Sequence, residues 1–211
     1  MTPRKLIKLR ARQNPRFAEA IVADARVSAA GMAIKREASP SRWADMFLVL
    51  RMIWVADAYF ALILIRAAAS LRAVGIPVLP TILRRLAIVI AQVHIGAPVI
   101  LGPGVFLPHG QVVIDGLVEI KSNVDIRPFV TIGLVEGEWV GPTIGRGTSI
   151  GTGAKVLGPI TLGRNVKVGA NAVVVRDVPD NATVVGVPGQ VSRIGGNQTA
   201  ARSQDPAVSP D

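Results

Sequence analysis

The sequence has no cysteine and only two histidines, His94 and His109. Disulfides, thiolate metal sites and thiol nucleophiles are thereby excluded, which fits a reducing compartment. Two lone histidines without a clustered acid make no ligand set, so no metal is expected. Aromatic residues are also scarce, 4% of the chain against 50% apolar residues overall, so the core has to be built from Val, Ile, Leu and Ala. Nothing resembles a signal peptide, and the expected location is cytoplasmic. Acids are the scarcer charge: 14 Asp and Glu against 24 Lys and Arg give a net charge of +10. Residues 1–42 hold ten of those cations against three acids, or +7 in a fifth of the chain.

That basic arm is not interleaved with aromatics, and no nucleic-acid motif follows it, so nucleic acid is not an expected partner. The plain reading is a solvated helical or disordered arm. Met46 to Ile65 comes next and has the length of a membrane span, but Arg51 and Asp57 interrupt it. Each central charge costs about 2.5 to 3.5 kcal/mol of insertion energy, which roughly cancels the gain from the apolar side chains. The run reads as a buried or membrane-facing helix, with peripheral membrane contact through residues 1–65 as an expectation. Gly75 to Pro80 reads as a connector, and Thr81 as the cap of a second helix from Ile82 to Gln92.

From Ile95 a period of six takes over. Ile95, Leu101, Leu107, Val112, Val118, Val124, Val130, Ile144, Ile150, Val156, Leu162, Val168 and Val174 lead successive units, and all are aliphatic. Helices repeat at three and four and single strands at two, so neither explains a six. A six-residue unit is a short strand plus a corner. Three units close a triangular coil, and parallel coils stack about 4.8 Å apart. Two irregularities break the count: Leu107 to Gln111 comes out one residue short, and Val135 to Ile144 gains eight, E-G-E-W-V-G-P-T. Sites in solenoids are usually built at such breaks. The domain plan is a basic arm at 1–42, a helical segment at 43–92, the repeat at 93–194 and a disordered tail at 195–211.

The segments V-F-L-P-H-G-Q-V-V-I-D-G, V-T-I-G, P-T-I-G-R-G-T-S-I-G-T-G-A-K-V-L-G-P-I-T-L-G, V-K-V-G-A-N-A-V-V-V-R-D-V-P and V-V-G-V-P-G resemble those of bacterial hexapeptide-repeat acyltransferases, the serine O-acetyltransferase family and its polysaccharide-modifying relatives. The resemblance implies a left-handed parallel β-helix preceded by an α-helical segment, acetyl-CoA as co-substrate with no permanently bound cofactor, and a homotrimer with shared active sites. It places the catalytic base at His109, a residue that the sequence by itself leaves open between catalyst and structural histidine. Acetyl-CoA contacts fall, position by position, on Leu134, Thr152 and Ala170, with Lys167 toward the nucleotide phosphates. Lys155 and Lys167 also read as ordinary surface lysines, and Trp139 as a cover for acceptor or adenine or as a trimer contact.

The departures from the family bear on the acceptor. The Asp that precedes the catalytic histidine is Pro108 here, the acid that orients the imidazole aligns with His94, and the substrate loop lacks its histidine. Asp115 and Glu119 are the candidate replacements for the orienting acid. The expected activity is O-acetyl transfer to a hydroxyl, with a sugar or polysaccharide favoured over serine. The alternatives are a serine acetyltransferase of cysteine biosynthesis and a non-catalytic scaffold; a carbonic-anhydrase-like hexapeptide protein would need more histidines.

Overall fold

The computed structural model describes residues 3–34 and 41–195. Five helices come first: α1 (Pro3–Ala11), α2 (Phe17–Gly31), α3 (Arg42–Val55), α4 (Tyr59–Val74) and α5 (Leu79–Ala91). The repeat follows as β1 (Val93–Ile95), β2 (Ile100–Leu101), β3 (Val105–Phe106), β4 (Val112–Ile114), β5 (Leu117–Ile120), β6 (Val124–Ile126), β7 (Thr131–Gly133), β8 (Val140–Ile144), β9 (Ser149–Ile150), β10 (Lys155–Leu157), β11 (Thr161–Leu162), β12 (Lys167–Val168), β13 (Val173–Val174), β14 (Ala182–Val185) and β15 (Gln190–Ile194). Every third strand pairs in parallel, giving three faces: β1-β4-β7-β10-β13, β2-β5-β8-β11, and β3-β6-β9-β12-β14. The result is a left-handed parallel β-helix behind a helical segment. β15 runs antiparallel on β14 and covers the last open edge of the third face. The tail expected at 195–211 lies, from residue 196 on, outside the described residues.

All thirteen period leaders are inside, none more than 4% exposed. The first face carries the column Ile95, Ile114, Ile132, Val156 and Val174, and the second Leu101, Ile120, Ile144 and Leu162. This register corrects both irregularities. Ile95 pairs with Ile114, 19 residues on, whereas Ile114 pairs with Ile132, 18 residues on. The first coil is therefore one residue long at the corner containing His109, not one short. Ile132 pairs with Val156, 24 residues on, so the later insertion adds six residues rather than eight. Each strand offers two inward positions two residues apart, such as Val112 and Ile114. A count of aliphatic leaders hops from one to the other at a break.

The basic segment is not a solvated arm. Asp24 of α2 and Arg66 of α4 form a buried ion pair with both N···O distances at 3.0 Å. Arg66 also donates to the carbonyls of Leu101 and Gly102, and Asp24 accepts from the N–H groups of Gly104 and Val105 at 2.9 and 2.8 Å. One network thus ties two helices to the first coil. Arg10 of α1 donates to the carbonyls of Pro98 and Val118, and Arg26 grips Asp45 of α3 at 2.7 Å. Arg10, Asp24 and Arg26 of the arm thus hold it to the rest of the chain.

The apolar run 46–65 is two helices, not one. α3 and α4 meet at Ala56, Asp57 and Ala58 and are bent by 118°; among the described residues no single helix is long and apolar enough to cross a membrane, by length and composition, though this bent pair passes the same test together. Ala56 and Ala58 are both buried, the first among α2, α3 and Tyr59 and the second in the solenoid core. Each half of the run serves a different core, and the turn between them follows. The next helix starts earlier than its expected cap: Pro80 occupies the first turn of α5, which needs no donor there, and Thr81 makes no capping bond.

Candidate functional site

His109 sits on the lengthened corner between β3 and β4. The next residue explains how the corner closes: a Cβ on Gly110 would lie 1.5 Å from the carbonyl oxygen of Ala91, the last residue of α5. That oxygen accepts from the N–H of Gln111 at 3.2 Å, and Gln111 takes a left-handed φ of 63°. The extra residue and the close approach turn the imidazole outward.

The imidazole Nδ1 lies 2.9 Å from Oδ2 of Asp57. A carboxylate only accepts, so Nδ1 carries a proton, and in the neutral ring Nε2 then presents a lone pair. The acid that meets the imidazole is thus neither of the two expected. Asp115 packs at a different corner, over Gly96, and Glu119 pairs with Lys121 on β5. Asp57 escapes sequence reasoning because it lies 52 residues before His109, inside an apolar run where it reads as an interruption. His94 is half-buried on β1 opposite Val113, and its ring makes no hydrogen bond among the described residues. Pro108, the other departure, lies on the same corner as His109. Among the described residues no group of His, Asp or Glu could hold a metal.

Above His109 the corners of the same edge stack coil on coil. Phe129 N–H donates to Gln111 O at 2.8 Å, Gly153 N–H to Pro128 O at 2.9 Å and Asn171 N–H to Thr152 O at 2.9 Å. Phe129, Gly153 and Asn171 each hold a positive φ there. A Cβ on Gly153 would meet the Asn171 side chain at 2.0 Å, which would have to move. This edge therefore brings Thr152 and Ala170 into line above His109, about 14 Å from bottom to top over three coil spacings. Lys167 faces out of β12 beside that edge, exposed between Ser149 and Thr183. Lys155 donates to the Phe129 carbonyl at 2.8 Å, so its ammonium helps hold the edge together.

Leu134 does not join them. It follows β7 at the next corner, where its side chain lies against Gly116, at the start of the loop that carries Trp139, itself 81% exposed. Within one chain Leu134 and Thr152 stand on different edges. The dyad is open as well, with side-chain exposures of 62% for His109 and 75% for Asp57. Both side chains thus face solvent in the single chain.

Residues 141–176 match the family described as bacterial transferase hexapeptide (six repeats). A serine acetyltransferase of Synechococcus elongatus is 41% identical over 135 residues, 62% of this chain and 55% of that protein. Among solved structures, the Neisseria gonorrhoeae serine acetyltransferase superposes with a TM-score of 0.71 at 28% identity, over 86% of this chain and 68% of that one. A serine acetyltransferase in complex with CoA gives the same TM-score, 0.71, at 25% identity over 89% of this chain and 74% of the other. Residues 141–176 thus carry the six-residue repeat that this family model describes. The chain's resemblance is to the serine acetyltransferases, and it extends from the β-helix into the helices before it, although the chain spans about half the length of the curated relative, 55%.

Proposed function

We propose that this protein transfers an acetyl group from acetyl-CoA to a hydroxyl, with His109 as general base and Asp57 as the residue that positions it. The observation that carries this reading is the 2.9 Å contact between His109 Nδ1 and Asp57 at the foot of the edge formed by Thr152 and Ala170. Nε2 takes the hydroxyl proton as the oxygen attacks the thioester carbonyl. The tetrahedral adduct collapses with cleavage of the C–S bond, and the imidazolium returns the proton to the departing sulfur. No covalent enzyme intermediate is needed. The donor runs up the edge past Thr152 and Ala170, bonded largely to backbone groups, with Lys167 beside its phosphates. The solved relative in complex with CoA supports this choice of donor.

A homotrimer is part of the proposal. Leu134 and the Trp139 loop of one copy, on their own corner, would face the His109 edge of the next, closing an imidazole that is 62% exposed in the single chain. The relatives point to serine as acceptor, and the expected preference for a sugar hydroxyl finds no support among them. The sugar reading stays second, resting on Pro108 in place of an acid and on a loop without histidine.

The test is thiol release from acetyl-CoA with L-serine or a glycan as acceptor. His109→Ala should lower kcat by roughly 10² to 10⁴, about 2.7 to 5.4 kcal/mol, at unchanged acetyl-CoA affinity. Asp57→Asn should lower it by up to roughly 10⁴ with the same affinity, since it disturbs only the tautomer and aim of the ring. Near wild-type rates for His109→Ala, with fold and assembly intact, would refute the mechanism.

A further inference from the structure

Among the described residues, the outer face of α3 has no partner. Trp43, Phe47, Leu50 and Trp54 are 77%, 70%, 54% and 90% exposed, and Met46 beside them 50%. At 100° per residue those four share an arc of roughly 60°. Arg42 and Arg51, also exposed, fall roughly 110° and 70° to either side of its centre. The helix's only acid, Asp45, points the other way and is held by Arg26. A chain with three tryptophans has placed two of them on this one stripe.

We propose that α3 docks lengthwise on an anionic lipid surface. Indole rings are suited to the headgroup boundary, and arginines on both flanks reach phosphates while their stems stay with the apolar stripe. The fourteen residues of α3 extend about 21 Å, short of a hydrocarbon core of about 30 Å, so the helix lies in the boundary and does not cross it. The charge pattern favours lipid over a second copy of the same face. Two copies would set Arg42 and Arg51 against arginines with no acid between them, whereas an anionic headgroup layer supplies the missing sign. The net charge of +10 acts in the same direction over longer range. Asp57 follows the end of α3 by two residues, so docking also brings His109 to the surface. That consequence rests on the transferase reading; docking itself does not.

The experiment uses the full chain as Trp139→Phe, so that tryptophan emission reports Trp43 and Trp54 alone, with phosphatidylcholine vesicles with and without phosphatidylglycerol. Co-sedimentation and a blue shift are expected with the anionic vesicles and not with the neutral ones, weakening as salt is raised. Arg42→Gln and Arg51→Gln should each cut partitioning about fivefold, and Trp54→Asp should abolish it, with far-UV circular dichroism unchanged and, for the same substitutions made with Trp139 in place, thiol release in solution unchanged. Absence of binding, or binding indifferent to these substitutions, overturns the proposal. So does light scattering that shows Trp54→Asp dissociating an assembly of a chain that ignores vesicles, since the face would then pack between copies. Thiol release is read separately, so loss of transfer with vesicle binding retained would indict the proposed function and not the docking.

Discussion

In the β-helix, each coil places aliphatic side chains directly above those of the coil below, and Thr148 is the one buried polar side chain, bonded at 3.1 Å to the Gly163 carbonyl. The helices in front are attached differently. Asp24 and Arg66 carry their charges into the junction and use backbone groups of the first coil as partners. The solenoid thus rests on repetition, which no single residue dominates, and the helical segment rests on one network with no repeat behind it. Substitutions should divide the two regions accordingly.

The largest effect belongs to the junction. Asp24→Ala leaves the Arg66 guanidinium buried, 3% exposed, and without its counter-charge. Breaking such a pair costs about 3 to 5 kcal/mol. In the Trp139→Phe chain, where tryptophan emission reports α3 alone, denaturant melts should show the helices released before the β-helix signal is lost. Coincident transitions shifted by less than about 1 kcal/mol would mean that packing, not this network, fixes the helices.

A smaller loss is expected inside the solenoid. Ile132 is fully buried between Ile114 and Val156, and Ile132→Ala should cost about 2 to 5 kcal/mol depending on how far the column collapses. The neighbouring coils keep their own register, so the helices should stay docked and far-UV circular dichroism at low temperature should be unchanged. Early loss of the helical signal would show that the regions are less independent than their construction suggests.

What could be read from the sequence follows the same division. Thirteen aliphatic leaders six apart specify coils, because no other element repeats at six. The count failed only where a strand's two inward positions were exchanged, at His109 and at the Trp139 loop. The helical segment has no such period. The turn at Ala56 to Ala58 contains neither glycine nor proline, and it arises because the two alanines pack into different cores. Docking bonds made by Arg10, Asp24 and Arg66 to carbonyl and N–H groups leave no pattern in side-chain types. His109 was legible through its corner and its resemblance; Asp57 was not, since only the fold of the helices brings it within 2.9 Å.

Gly110 is one of the places where the two regions touch, and it yields the smallest change in stability with the sharpest readout in function. Its missing Cβ leaves room for the Ala91 carbonyl, which would otherwise lie 1.5 Å away. Gly110→Ala therefore forces the end of α5 and the His109 corner apart. Such overpacking typically costs about 1 to 3 kcal/mol, less than either substitution above. The displacement falls one residue from the imidazole, however, and the aim of Nε2 depends on a contact to Asp57 that comes from the helical side of the junction. A shift of about 1 Å in reacting groups can cost on the order of a hundredfold in rate. Thiol release should therefore fall by about that factor, while acetyl-CoA affinity holds because Thr152 and Ala170 stand on higher coils. An equal fall in both would mean that the His109 corner also carries the donor, and the division between a catalytic foot and a binding edge above it would have to be redrawn.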